Sequence, residues 1–151
     1  MVVIEIPIRS YPKPAGAQGY NGKITMMGSR GGKYGAWTVK AKKAIIDLYS
    51  NNDAPMPQNI AAYGIVYHFM MADKKCGDIL NIAGSITDVL VKLGIITDDS
   101  PRYMPRVAAG VYFEKYTMID GTKYLTKIIQ PSIKIILCHN QEDWRRAANP
   151  L

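Results

Sequence analysis

The stretch DILNIAGSITDVLVKLG, residues 78–94, carries its apolar side chains at the spacing of an α-helix. Ile79, Ile82, Ile86, Val89 and Leu93 fall on one stripe, while Asp78, Asn81, Ser85 and Asp88, spaced three, four and three apart, share the opposite face. Asp78 stands where an N-cap is needed and Gly94 where the chain must leave the helix. A helix is therefore expected from about Asp78 to Leu93, roughly 24 Å long. Just before it, Ile60–Met71 is apolar on both faces, as a central strand requires.

Working towards the N-terminus, Asp53–Asn59 with Pro55 and Pro57 reads as a turn, and Trp37–Tyr49 as an amphipathic helix with Ala41, Ala44, Ile45 and Leu48 inward. Ser10–Lys33 is dense in Pro and Gly and reads as a long loop or irregular hairpin. Val2, Ile4, Ile6 and Ile8 alternate, so the chain starts with a strand that Pro7 keeps near a sheet edge. Towards the C-terminus, Arg106–Met118 and Lys123–Ile129 read as strands joined by a turn at Asp120-Gly121, and Ser132–Cys138 as a last strand. The polar tail from His139 to Leu151 reads as a short helix or a frayed end. The expected architecture is a single α+β domain, residues 1–151, with a mixed β-sheet and two principal helices.

The net charge of +7 is unevenly distributed. Residues 1–50 carry +6, residues 51–99 carry −3 and residues 100–151 carry +4. Basic arms flanking an acidic centre suit a protein whose cations meet phosphates and whose acids hold a divalent cation. The apolar run at 60–71 is too short to span a bilayer, and Glu5 with Arg9 argues against a signal peptide, so a cytoplasmic location is expected. Cys76 and Cys138 lack the spacing of a zinc site or a disulfide framework and read as reduced thiols. His68 and His139 fall at strand positions and read as structural; Gly31-Gly32-Lys33 lacks P-loop spacing.

Asp78, Asn81, Asp88, Leu90, Gly94, Asp98 and Asp99 together fit D-x-x-N-x(6)-D-x-L-x(3)-G-x(3)-D-D. This run resembles the core motif of the RusA crossover-junction endodeoxyribonucleases, Holliday-junction resolvases common in phages and prophages. The likeness is close over residues 71–99, about a fifth of the chain, and elsewhere rests on the order of elements. It implies a RusA-like fold and a homodimer that cuts four-way junctions and other branched DNA, in the cytoplasm of a bacterial or phage-infected cell. It also implies that Asp78 and Asp99 bind Mg²⁺, with Mn²⁺ as an alternative, supported by Asp98 and Asn81. Asp88 is a further candidate metal ligand, and hydrolysis would proceed without a covalent protein intermediate.

Two positions depart from the family pattern. Leu80 stands where many members have a second Asp, and Gly84 where a basic residue is common. Asp88, Asp73 or Glu114 are candidates for the missing oxygen, and Lys74, Lys75 or Arg102 for the missing charge. The alternative reading is therefore a relative that binds branched DNA but cuts weakly or not at all. Candidate phosphate-binding residues are Arg30, Lys33, Lys40, Lys43, Lys74, Lys75, Arg102 and Arg106, with Tyr20, Tyr34 and Trp37 as candidate stacking platforms for an unpaired base. Because the helix separates Asp78 from Asp99, the two can share a metal only if the chain folds back along it or a second chain contributes.

Overall fold

A computed structural model describes residues 1–13, 16–18, 24–26, 32–70 and 77–148, with 16–18 and 24–26 described as backbone only. Its centre is a four-stranded sheet in the order β1-β8-β4-β5, made of β1 (Val2–Ile6), β8 (Ser132–Cys138), β4 (Gly64–Met70) and β5 (Val107–Tyr112). β8 runs antiparallel to β1 and β4, whereas β5 runs parallel to β4. The sheet is mixed and the fold is α+β, as the sequence pattern implies. A parallel pair needs a crossover, and α2 (Ile79–Lys92) supplies it between β4 and β5.

β4 is buried on both faces because both are covered. On one face Ile65, Tyr67 and Phe69 join Ile4, Ile6, Ile133, Ile135 and Leu137 beneath α2 and α1 (Lys33–Asn51). Val66, Ile136 and Cys138 form a smaller cluster on the other face beneath α3 (Gln141–Ala147). Trp144 of α3 lies so close to Gly64 that a Cβ there would come within 2.5 Å of its ring. His68 joins this layer: its Nε2 donates to the Ala147 carbonyl at 2.7 Å, and its Nδ1 lies 3.2 Å from the Tyr112 hydroxyl. The histidine is a structural strut, as its strand position suggests. Cys138 is a free thiol, and burial pushes its pKa up. Cys76 lies outside the described residues.

The caps of α2 fall where the sequence puts them. Asp78 is the N-cap, and the helix ends in a Schellman motif: Gly94, at φ +74°, donates to Val91, and Ile95 donates to Leu90 at 3.0 Å. Other boundaries differ. α1 begins at Lys33 rather than Trp37, since Gly35 disguises its first turn. β4 begins at Gly64 rather than Ile60, because the amides of Asn59 and Ile60 bond the Gly94 and Ile95 carbonyls instead of joining the ladder. The strand expected over Arg106–Met118 is two strands. β5 ends at Tyr112, paired with Met70 at the end of β4, and β6 (Lys115–Ile119) then pairs with β7 (Thr122–Lys127) in a separate hairpin. Asp120 and Gly121, both at positive φ, make its turn. In the long N-terminal segment β2 (Gly16–Gln18) pairs antiparallel with β3 (Ile24–Met26).

Candidate functional site

The polar face of α2 is built from its first residue onward. The Asp78 carboxylate accepts from the Asn81 amide at 2.8 Å, so one of its oxygens closes the helix end. Ser85, fully buried, donates to the Asn81 carbonyl at 3.2 Å. One turn further on, Asp88 accepts from Lys13 Nζ at 2.9 Å and, at a long 3.4 Å, from the Tyr34 hydroxyl.

Lys13 comes from the segment after β1, which aromatic packing fastens down. Trp37 Nε1 donates to the Arg9 carbonyl at 2.8 Å, and the Tyr11 ring lies 6.3 Å from both Tyr34 and Trp37. A Cβ on Gly84 would come 3.9 Å from Lys13 Cδ, so the lysine stem lies over the notch that this glycine leaves in α2. Gly77, at φ +83°, lets Pro12 approach the start of the same helix.

The charge of a second acid, Asp99, reaches the same groups. The hydrogen bond that Lys13 makes to Asp88 raises its pKa above the usual 10.5, burial opposes the shift, and the charges of Asp88, Tyr34 and Asp99 add to it. Tyr67 is raised far above the ordinary phenol range by burial; its Thr87 hydrogen bond opposes, and Asp99 and Asp88 reinforce. Burial and then Asp88 likewise raise Tyr34. Asp88 and Asp99 therefore act on the same lysine and the same tyrosine. Asp98 is turned to its own neighbour, accepting from the Asp99 amide at 2.8 Å.

Asp78 stands at the far end of α2, about 15 Å along the axis from Asp88. Among the described residues no group of three His, Cys, Asp or Glu is placed to hold a metal ion. The expected grouping of Asp78 with Asp98 and Asp99 is thus not formed among the described residues. What the fold brings together is Asp88 and Lys13, 2.9 Å apart. Mg²⁺ commonly takes one or two protein carboxylates, its remaining positions going to water and substrate phosphate.

Leu80 is 76 % exposed on α2, so its position is open to a polar group that this chain does not carry. Glu114 is engaged elsewhere, accepting from the Tyr116 hydroxyl at 2.9 Å at the foot of the β6–β7 hairpin. Lys33 and Lys40 are exposed on the outer face of α1. Lys43 shares that face but pairs with Asp47 at 2.6 Å. Arg106 is committed to Tyr63, with its guanidinium 4.0 Å above the ring, and exposed Arg102 lies near Tyr103. Tyr34 and Trp37, only 7 % and 6 % exposed, are core residues and not platforms for a base. Arg30, Lys74, Lys75, Asp73 and Tyr20 lie outside the described residues.

Lys13 is the residue the sequence pattern misses. It precedes α2 by more than sixty positions, and no periodicity links the two. No family model matches the chain, and no curated protein matches it. Among the described residues, no helix is long and apolar enough to cross a membrane.

Proposed function

We propose that this chain is a Mg²⁺-dependent endodeoxyribonuclease of the RusA type, hydrolysing phosphodiester bonds in Holliday junctions and other branched DNA as a homodimer. The motif spacing from Asp78 to Asp99 suggests the class. The observation that carries the reading further is the 2.9 Å pairing of Asp88 with Lys13, a cation seated over Gly84, where the family commonly has a basic residue.

Asp88 and Asp99 are the carboxylates that would hold the metal, and Mn²⁺ suits the same oxygen ligands. Bound there, Mg²⁺ supplies Lewis acidity towards a phosphate oxygen and makes a water more acidic. Lys13 pairs with Asp88 and is the group available to neutralise charge on the phosphate as the bond breaks. Lys33 and Lys40 offer cations for the DNA backbone.

The test is cleavage of a labelled four-way junction by the purified protein, with and without Mg²⁺, beside a gel shift for binding. Wild type is expected to cut only with metal. Asp99→Asn, Asp88→Asn and Lys13→Met are each expected to slow cutting by about 10²-fold while binding persists, a loss typical of removing one stabiliser of developing charge. Equal cutting by all three variants would refute the site. A second reading, a DNA-binding relative that does not cut, is favoured by exposed Leu80 in place of a carboxylate. It predicts a shifted junction that stays whole with either metal.

A further inference from the structure

We infer that the β6–β7 hairpin is a dimerisation arm, which seats on a second copy of this chain through its apolar side chains and the cavity at its root. Both strands are exposed along their whole length. A two-stranded hairpin standing alone in water is marginal, so this one needs a surface to lie on. Of thirteen large apolar residues exposed among the described residues, seven fall between Phe113 and Ile128. Met118 and Ile128 are 63 % and 64 % exposed. The cross-strand register puts Tyr116, Met118 and Leu125 on one face, and Ile119 and Tyr124 on the other.

At the root of the hairpin lies a cavity of about 670 Å³ whose lining includes Met70, Val111, Tyr112, Phe113, Ile128 and Ile129. An apolar arm beside an apolar cavity is a self-complementary pair. Two copies related by a two-fold axis can each place the arm against the other's cavity, and both are satisfied at once.

The charges favour a second copy over DNA as the occupant. The hairpin carries Lys115, Lys123 and Lys127 against Glu114 and Asp120, a mixed set that can pair with itself. Several are already engaged: Lys123 lies 4.1 Å above the Tyr116 ring, whose hydroxyl donates to Glu114. A surface made for phosphates would be dominated by cations.

Dimerisation is part of the reading proposed above, and the arm gives it a surface. Light scattering without DNA is expected to give twice the 16.8 kDa chain mass for wild type. The Met118→Glu/Leu125→Glu double variant is expected to run as a monomer, its dissociation constant raised by at least about 100-fold. If that variant does not fold, hydrogen exchange on the wild type decides the matter: amides of β6 and β7 should gain protection as protein concentration rises. A monomeric wild type, a folded variant that stays dimeric, or exchange in the hairpin that ignores concentration would each overturn the proposal. A variant that stays dimeric but loses the junction would make the hairpin a DNA arm instead. Junction cleavage measured alongside separates the two readings. A monomer that cuts sinks the arm and keeps the nuclease, whereas a dimer that dissociates on mutation but never cuts does the reverse.

Discussion

Asp78 is the residue on which the motif reading and the fold make different demands. In the motif it is a metal ligand; in the fold its carboxylate caps α2 at 2.8 Å from the Asn81 amide. Substitution separates the roles, because Asn caps a helix about as well as Asp whereas Ala does not. Asp78→Ala is expected to cost about 1 kcal/mol and to lower the melting temperature by roughly 2–4 °C. Asp78→Asn should stay within a few tenths of a kcal/mol of wild type, apart from a small loss of charge at the helix N-terminus. Thermal or urea unfolding of the three proteins measures this, and Asp78→Ala melting with wild type would mean that the cap contributes nothing. Any loss of cleavage in Asp78→Asn then reports on the charge and not on the helix.

At the scale of elements, legibility followed how local the cause was. α2 was readable to within a residue, because its stripe, its capping Asp and its Gly94 stop are all written in one segment. The division of 106–118 into β5 and β6 was not readable, since it depends on where β4 runs out of pairing partners, a fact of the sheet and not of the strand. Lys13 was invisible for the same reason: its partner Asp88 is set by how the segment after β1 packs on Trp37 and Tyr34. The outer face of α1 was readable from Lys40 onward, with Lys33 assigned to the loop before it, and it leads to a measurement. Lys33 and Lys40, seven residues and about two turns apart, are exposed on one side, while Lys43 is held by Asp47. Lys33→Gln with Lys40→Gln is expected to weaken junction binding. It should also flatten the slope of log affinity against log salt by roughly 1.8, about 0.9 for each phosphate that is no longer neutralised. Fluorescence anisotropy of a labelled junction between about 50 and 200 mM salt reads this directly. An unchanged slope would mean that α1 does not face the DNA.

Over the whole molecule, the charge segregation of the sequence is partly undone in space. A lysine from the strongly basic first third is folded against Asp88 from the acidic middle. That packing makes the fold sensitive to alkali. Tyr67 is fully buried, and its hydroxyl lies 2.6 Å from that of Thr87; its pKa, like those of Tyr34 and Tyr49, is raised above the usual 10.0, first of all by burial. The unfolded chain releases these phenolic protons near pH 10 and the native chain holds them, so above that pH the native state binds more protons and stability falls as pH rises. Lys13 acts in the same direction, since the advantage of its pairing is present below its usual 10.5 and is lost as pH climbs through the raised value. A group buried as fully as Tyr67 steepens the decline by up to about 1.4 kcal/mol per pH unit. Tyr67→Phe removes that contribution. Thr87 keeps its bond to the Ala83 carbonyl at 2.7 Å, so the variant should lose only about 0.5–1.5 kcal/mol at neutral pH. Its decline above pH 10 should be visibly shallower than that of wild type in urea midpoints taken from about pH 8 to 11. Identical slopes would mean that Tyr67 ionises in the native state, and so that the centre of the sheet is open to water.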